Sequence, residues 1–276
     1  MYINIKGQLL DLSSPCVMGI LNLTPDSFFS GSRKQTEDDI ILRVRQIKEE
    51  GAAIIDVGAY SSRPGSVYVS EDEEMQRLDY GLKILFRTFP DAVVSVDTFR
   101  AGIARRCVEK YGVAIINDIS AGELDPDMFP TVASLQVPYI MMHMRGTPQN
   151  MMQLTDYADF RDEIFVYFAK KKDELTRLGV NDIILDPGFG FSKDTEQNYE
   201  LMAMLEDFRI FELPLLVGIS RKKMIRDVLE CTTEDSLNGT TVLNVYSLLN
   251  GANILRVHDV KEAIQAVKLI EKIKND

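Results

Sequence analysis

Short apolar runs alternate with helical segments along the whole chain, and this alternation restricts the fold more than any other feature of the sequence. Eight runs have the composition of strands: CVMGIL, AIIDVG, VVSVDT, VAIIND, PYIMMH, DIILDPG, PLLVGIS and NILRVHD. Each run is apolar throughout instead of alternating, which is typical of parallel strands that are covered on both faces. The pattern therefore favours an α/β protein with a parallel sheet.

The segments between these runs have the periodicity of amphipathic helices. Two clear examples cover residues 70–89 and 160–179. Ser70 and Glu73 have the spacing of a capping box at the start of the first, and Gly179 lies where the second should end. Both segments are therefore predicted to be helices that cover the sheet.

Repetition of the same β–α unit without a linker-like stretch predicts one domain. We expect a (β/α)₈ TIM barrel of the α/β class over residues 1–276. A doubly wound open sheet has the same alternation of elements and is the alternative. In a barrel the active site lies at the C-terminal ends of the strands, so functional side chains are expected there.

A polar or charged side chain occurs at or near the end of every predicted strand. The residues are Asn22, Asp56, Asp97, Asn117, Asp118, His143, Asp186, Ser220, Arg221, Lys222, Arg256 and His258. Any one of them is explained as the start of a loop, but their convergence at all the strand ends indicates a site. The acids and amides suit a planar heterocycle whose adjacent N–H and NH₂ groups donate parallel hydrogen bonds. The cations after the last two strands suit an anion, since barrels commonly hold phosphate there.

Composition argues against several other classes of protein. A formal net charge of −11 argues against a nucleic-acid partner and against an anionic membrane surface. Cys16, Cys107 and Cys231 are too scattered for a disulfide framework or a thiolate zinc site. With only two histidines a histidine-based zinc site is improbable, and His143 is most simply a core histidine. The sequence shows no signal peptide and no membrane-spanning run, so a cytoplasmic protein is expected.

Several motifs, taken together and in order, resemble the dihydropteroate synthases, a family of pterin-binding enzymes. The matching segments are MGILNLTPDSF, IIDVGAYSSRPGS, VSVDTFR, AIINDIS, MHMRGTPQNMM, DPGFGFSKDTEQNYELM, LLVGISRKKMI and ILRVHDVKEA. The resemblance implies a transferase of folate biosynthesis, the target of sulfonamides. Such an enzyme joins (7,8-dihydropterin-6-yl)methyl diphosphate to p-aminobenzoate and releases diphosphate. The resemblance also implies Mg²⁺ as cofactor and, because barrels of this family are usually homodimers, a homodimer.

The resemblance further implies roles for individual residues, matched motif by motif. The pterin would be bound by Asp97, Asn117, Asp186, Lys222 and Arg256. The p-aminobenzoate pocket would be formed by Phe28, Ser62, Pro64, Phe191 and Ser220. Diphosphate would be bound by Asn22, partly through Mg²⁺, and by Arg63, Arg256 and His258. The catalytic set would be Asp97, Lys222, Arg63, Arg256 and His258.

The loop after the first barrel strand, NLTPDSFFSG, contains two adjacent phenylalanines that a surface connection has little use for. We expect this loop to fold over the reacting centre, with Phe28 excluding water. Loss of diphosphate leaves a methylene cation conjugated to the pterin, which water would otherwise capture. Asp97 would stabilise that cation, and no strong general base is required, so the substitution is expected to be dissociative.

The chain departs from the family's pattern in places, and two rival functions follow from this. Tyr60 replaces the usual Glu of an ESTRPG motif, SFFSGS replaces SFSDGG, and Lys223 replaces a common Ser. One rival is a pterin-binding methyltransferase with a corrinoid partner, which has no use for the SSRPG loop or the RVHD anion site. The other is a non-catalytic pterin-binding paralogue, for which the altered loops leave room.

Overall fold

A computed structural model describes residues 1–24, 33–62 and 68–274 of the chain. It begins with an antiparallel hairpin of β1 (Tyr2–Ile5) and β2 (Gln8–Asp11). The two turn residues, Lys6 and Gly7, have φ values of 51° and 84°, as a tight hairpin turn requires. The apolar side of this hairpin packs against the starts of the barrel strands and closes that end of the barrel.

Eight further strands form one parallel sheet. In chain order they are β3 (Cys16–Asn22), β4 (Ile54–Gly58), β5 (Val94–Asp97), β6 (Ile115–Asp118), β7 (Tyr139–Met142), β8 (Ile183–Asp186), β9 (Leu216–Val217) and β10 (Ile254–Val257). Their order in the sheet is β8-β7-β6-β5-β4-β3-β10-β9. A parallel bridge between Leu185 and Leu215 joins the two outer strands. The sheet is therefore a nearly closed barrel, which confirms the predicted TIM barrel and excludes the open sheet.

Helices surround this barrel in the part of the chain that the structure describes. They are α1 (Arg33–Glu49), α2 (Glu71–Thr88), α3 (Ala101–Tyr111), α4 (Met128–Leu135), α5 (Phe160–Arg177), α6 (Thr195–Ala203), α7 (Lys223–Leu229), α8 (Leu237–Leu249) and α9 (Val260–Lys274). Both helices predicted above are confirmed, as α2 and α5. Only half of the predicted capping box forms, because Ser70 accepts from the Glu73 amide (3.2 Å) while the Glu73 carboxylate pairs with Arg77.

The inward positions of the strands change from apolar to polar along the barrel. Because side chains alternate along a strand, residues two apart point to the same face. Ile54, Ile115 and Ile254 lie among the buried apolar residues at the starts of their strands. Two residues further along, the same faces carry Asp56, Asn117 and Arg256. The barrel is therefore packed with hydrocarbon at its N-terminal end and lined with polar groups at its C-terminal end.

None of the helices within residues 1–24, 33–62 and 68–274 is both long enough and apolar enough to cross a bilayer.

Candidate active site

Arg256 on β10 lies at the centre of a charged cluster in the barrel mouth. Its Nε donates to Asp56 Oδ2 (2.6 Å), and its Nη2 donates to Asp97 Oδ2 (2.7 Å). Asn117 Nδ2 donates to the same Asp56 oxygen at 3.2 Å. The structure thus brings together three residues that were predicted separately, from strands β5, β6 and β10, and two hydrogen bonds fix the plane of the guanidinium.

Asp56 was predicted as a strand-end residue, and the structure corrects this. β4 continues to Gly58, so Asp56 lies inside the strand and its side chain is completely buried. Its Oδ2 binds Arg256 and Asn117, but the buried Oδ1 has no hydrogen-bond partner among the described residues. Since an unpaired buried oxygen is costly, Asp56 is placed for its effect on the site and not for stability alone.

The charges of this cluster shift one another's pKa. Burial raises the pKa of Asp97 to about 7, against the opposing effect of Arg256 and with the help of the Asp56 charge. Burial by itself would lower the pKa of Arg256, but the carboxylates of Asp56 and Asp97 outweigh it and raise that pKa above its ordinary value. One permanent cation thus faces two acids.

Asp118, also predicted at a strand end, does not face the barrel mouth. It follows the inward-facing Asn117 and therefore points to the opposite side of β6. Its carboxylate accepts from the Ser120 amide and hydroxyl (2.8 and 2.7 Å), the Gly122 amide (2.8 Å) and the Tyr139 hydroxyl (2.6 Å). Four donors in one buried cluster make Asp118 a structural residue that holds the β6 loop.

Asp186 ends β8 and is held by the loop that follows it. Its Oδ1 accepts from the Gly188 amide at 2.8 Å, and burial raises its pKa. Gly188 has a φ of +74°, and a Cβ at this position would lie 2.1 Å from the His143 carbonyl oxygen. Only glycine fits here, so the first glycine of DPGFGF positions the Asp186 carboxylate.

Lys222 reaches into the mouth from the other side of the same loop. Its Nζ donates to the Phe189 carbonyl and lies 4.8 Å from the centre of the Phe191 ring. Burial lowers the pKa of Lys222 to about 8, while the charge of Asp186 limits the shift. Lys222 and Phe191 were assigned to neighbouring subsites, and the structure places them in contact.

His143 is the core histidine that the sequence predicted, and its partner was missed. The ring is buried, and its Nδ1 lies 2.9 Å from the Nζ of Lys193, which is also buried. Burial and the Lys193 charge lower the pKa of His143 well below its usual value. Burial likewise lowers the pKa of Lys193 well below the usual value for lysine. No sequence rule singled out Lys193, because a lysine after a loop motif normally belongs to the solvated surface.

Ser220, assigned to the p-aminobenzoate pocket, and His258, assigned to the diphosphate site, lie in contact. The Ser220 hydroxyl lies 3.2 Å from the His258 amide nitrogen and 3.1 Å from its Nδ1. Arg221, by contrast, was wrongly included among the cations of the mouth. Its φ of 57° turns it away, and it forms two 2.9 Å contacts with Asp259. Lys223 is exposed and binds Asp227 at 2.7 Å on α7.

Asn22 and Asp97 border the space beside Gly58 at the end of β4. A Cβ on Gly58 would lie 3.8 Å from Asn22 Oδ1 and 3.9 Å from Asp97 Oδ2. The described residues contain no group of three or more His, Cys, Asp or Glu side chains that could hold a metal ion. Magnesium needs none, since one or two protein oxygens with substrate phosphates and water commonly hold it. The residues present therefore fit a Mg²⁺ ion that is shared with a diphosphate.

Three predicted site residues, Phe28, Arg63 and Pro64, lie outside the described residues. Ser62 is half-buried at the end of the loop base after β4. A cavity of about 710 Å³ lies elsewhere, between α5 and the loops after β6 and β7. Its lining contains none of the residues assigned above to substrates, so we locate the candidate site at the strand ends.

Comparisons with known proteins identify the family of this chain. The family described as pterin binding enzyme matches residues 18–258, from within the first barrel strand to just past the last. The dihydropteroate synthase of Escherichia coli (strain K12) is 40% identical over 268 residues, 96% of this chain and 94% of that protein. That of Haemophilus influenzae is 35% identical over 272 residues and 98% of both chains.

Solved structures show the same likeness in three dimensions. Yersinia pestis dihydropteroate synthase with a sulfonamide drug complex superposes with a TM-score of 0.92, at 37% identity and 100% coverage of both chains. Xanthomonas albilineans dihydropteroate synthase with 4-aminobenzoic acid has a TM-score of 0.89 at 31% identity, covering 99% of this chain and 98% of that one.

Proposed function

The chain belongs to the pterin-binding enzymes, among the dihydropteroate synthases, and on that premise we propose that the strand-end cluster is its active site. The enzyme is a transferase of folate synthesis. It joins (7,8-dihydropterin-6-yl)methyl diphosphate to p-aminobenzoate and yields 7,8-dihydropteroate and diphosphate. The observation that carries the proposed site is the convergence of Asp97, Asn117, Asp186 and Arg256 at one end of the barrel.

The pterin binds to the acids and amides of this cluster. Asp186 accepts from the adjacent N–H and NH₂ of the ring, which donate in parallel as an arginine does. Asp97 and Asn117 bind the remaining polar edge. Lys222 contacts the ring carbonyl and N5 side, and Arg256, held by Asp56 and Asp97, lies flat against the ring. Glycines at 58 and 218 support this arrangement, because they leave the space beside these side chains open.

The diphosphate binds at the last strand and across to the first. His258 beside Ser220, together with Arg256 and Arg63, provides positive or donating groups for the leaving oxygens. Asn22 would hold Mg²⁺, which would supply further positive charge for the leaving group. The net charge of −11 makes these few cations necessary, because the field of the whole protein repels an anion.

The chemistry proceeds by departure before attack. The bond between the methylene carbon and the diphosphate oxygen breaks, and its electron pair leaves with the diphosphate. Asp97 stabilises the methylene cation, and the aminobenzoate nitrogen then forms the new C–N bond and passes a proton to the released diphosphate or to water. Phe28, Ser62, Pro64, Phe191 and Ser220 form the p-aminobenzoate pocket.

Rates with ring-substituted p-aminobenzoates test this order of events. In single turnovers at saturating substrate, a dissociative step depends only weakly on the pKa of the amine. A steep dependence would show concerted attack and would overturn the mechanism without touching the identity of the reaction.

A direct assay tests the activity and its site. Purified protein is mixed with the pterin diphosphate, p-aminobenzoate and Mg²⁺, and dihydropteroate is detected by mass. Asp186→Asn should abolish product, because an amide presents a donor to donors. Asp182→Asn is the matched control, since Asp182 lies at the opposite end of β8, where it accepts from the Asn4 amide (3.0 Å). Pterin binding without product in the wild type would instead favour a non-catalytic paralogue.

We further propose a homodimer in which α8 and α9 contribute the interface. Val242, Tyr246 and Leu249 form an exposed apolar row on α8, and Leu269 and Ile273 form another on α9. Exposed rows of this kind mark interaction surfaces. Val242→Glu should give monomers by analytical ultracentrifugation, whereas Val166→Glu, the same exposed change on α5, should not. A cytoplasmic location and a single domain over residues 1–276 also stay predictions.

A further inference from the structure

Lys193 follows the DPGFGFS loop, yet its side chain points into the protein and is only 1% exposed. Its Nζ lies 2.9 Å from His143 Nδ1, 3.1 Å from the Gly188 carbonyl oxygen and 3.0 Å from the Phe191 carbonyl oxygen. These three acceptors match the three N–H groups of an ammonium, and the His143 carbonyl oxygen lies further away, at 3.5 Å. None of these three acceptors is a carboxylate, so the charge is buried without an ion-pair partner in this contact set.

A buried lysine that is paired only with neutral acceptors is expensive for stability. An apolar side chain of the same length would fill the position without that cost, so the position of Lys193 calls for a role other than packing. The hydrogen-bond partners of Lys193 indicate what this role is. They belong to the end of β7 and to both ends of the segment Gly188–Phe191, which borders the candidate active site.

Two lysines hold this segment from opposite sides. Lys193 donates hydrogen bonds to the carbonyls of Gly188 and Phe191 on the buried side of the segment. Lys222 donates to the carbonyl of Phe189 on the side of the barrel mouth. Asp186 is coupled to the same segment, because its Oδ1 accepts from the Gly188 amide at 2.8 Å. A displacement of the Gly188 peptide would therefore move the carboxylate that faces the pterin.

We propose that Lys193 is a positioning residue for the pterin site, which keeps the Gly188–Phe191 segment in place when Lys222 exchanges the Phe189 carbonyl for the substrate. The proposal rests on the proposed function, because that function requires Lys222 to reach the pterin ring. If Lys193 is absent and Lys222 moves to the substrate, neither lysine holds the segment, and Asp186 loses its fixed orientation. Lys193 touches neither substrate and acts only through Gly188 and Phe191.

Calorimetric titration with (7,8-dihydropterin-6-yl)methyl diphosphate and Mg²⁺ tests the proposal on the full chain. Lys193→Met removes all three donors and keeps the length of the side chain. It should weaken pterin binding tenfold or more, and kcat should fall as well. Lys172→Met is the matched control, since Lys172 also donates to a main-chain carbonyl, that of Phe211 (2.6 Å), but on the outside of the barrel. It should leave pterin affinity and kcat within twofold of wild type.

Lys193→Gln separates positioning from general stability. Its amide retains N–H donors for a carbonyl, so pterin affinity should lie between those of wild type and Lys193→Met. Unfolding in urea identifies conditions in which every variant is folded. Wild-type affinity in folded Lys193→Met, or equal losses in the two Met variants, would overturn the proposal.

Two further outcomes of the experiment also decide between the proposals. If Lys193→Met does not fold, Lys193→Gln decides, and wild-type pterin affinity in that variant overturns the proposal. If the wild type itself neither binds the pterin diphosphate nor forms product, the proposed function fails and not merely the role of Lys193.

Discussion

Two arginines, the buried Arg100 and the half-buried Arg256, bind carboxylates in this protein, and their surroundings differ. Arg100 lies outside the barrel, where it pairs with Glu74 of α2 and donates to the Val69 carbonyl oxygen at 2.7 Å. Glu74 also accepts from the Thr98 hydroxyl at 2.7 Å. The guanidinium carbon lies 5.0 Å from the ring centre of Phe99 and 5.6 Å from that of Tyr60 or Tyr68. Arg100 thus has one acid, further acceptors and aromatic faces around it.

Arg256 has two acids and an unfinished set of hydrogen bonds. It binds both Asp56 and Asp97, and the second oxygen of Asp56 has no partner among the described residues. Burial, with a smaller contribution from the Asp56 charge, raises the pKa of Asp97 to about 7 in spite of Arg256. The Arg100 cluster is complete by itself, whereas the Arg256 cluster would be completed by a donor-rich ligand such as the proposed pterin. We therefore expect the first to determine stability and the second to determine binding.

The largest effect is expected on the free energy of unfolding, when the Arg100 cluster loses its acid. Glu74→Ala leaves the buried Arg100 without its acid and should lower the free energy of unfolding by about 3–5 kcal/mol. Urea denaturation measures this. Glu73→Ala removes the neighbouring, half-exposed partner of Arg77 and should cost less than about 1 kcal/mol. Pterin affinity of the folded Glu74 variant should match wild type; a large loss would show that the two clusters are coupled.

The second-largest effect is expected on pterin binding, from a change in the Arg256 cluster. Asp97→Asn keeps an oxygen for Arg256 but removes a charge from the barrel mouth. Pterin affinity and kcat should each fall by roughly a hundredfold, about 3 kcal/mol. At pH 4.5, where native Asp97 is protonated, the free energy of unfolding should change by less than about 1 kcal/mol, since Arg256 retains Asp56. A stability loss as large as that of Glu74→Ala would mean that both clusters are structural.

The pH dependence of stability separates the clusters further. Below the ordinary Asp pKa of 3.8, Asp97 is protonated in both states and contributes no difference. Between 3.8 and about 7 the unfolded chain releases this proton and the native protein retains it, so the native state loses stability as pH rises. Above about 7 the loss is complete.

Asp97→Asn lacks this contribution, and urea denaturation from pH 4.5 to 8 measures it. The variant should gain on wild type by about 3 kcal/mol as pH rises from 4.5 to about 7, with no further gain above. Parallel curves for the two proteins would show that Asp97 is ionised throughout and that the cluster has no excess of charge.

The same comparison explains what the sequence could and could not predict. The barrel followed from the strands, because side chains buried on both faces make each run apolar in the sequence itself. The acids and cations of the mouth were visible as polar residues at strand ends. Their partners were not, since Arg256 binds Asp56 and Asp97 across 200 and 159 positions of the chain.

The sequence also could not show which of two adjacent polar residues faces the barrel mouth. Asn117 and Asp118 are adjacent, and only the start of β6 decides which one faces the mouth. Arg221 and Lys222 are adjacent too, and a positive φ at Arg221 turns that residue to Asp259. The backbone angle depends on the completed fold, so composition at the strand end could not distinguish the structural cation from the one in the site.

The smallest effect is expected at Tyr60, which occupies the position of the family's usual Glu on the edge of the Arg100 cluster. Its hydroxyl accepts from Gln149 Nε2 at 2.8 Å, and its ring meets Phe99 edge-on at 5.1 Å. Tyr60→Phe keeps the ring contact with Arg100 and loses one half-exposed hydrogen bond, so stability should fall by at most about 1 kcal/mol. Pterin affinity and kcat should stay within threefold of wild type.

Tyr60→Ala also removes the ring and should lower stability further, again without a loss of pterin affinity. Urea denaturation and calorimetric titration of both variants measure the two quantities side by side. Ser61 and Ser62 follow Tyr60 directly, and Ser62 is assigned to the p-aminobenzoate pocket. A more than threefold loss of kcat in Tyr60→Phe would therefore place Tyr60 in the function of that loop. Tyr60 would then contribute both to the stability of the Arg100 cluster and to the function of the active site.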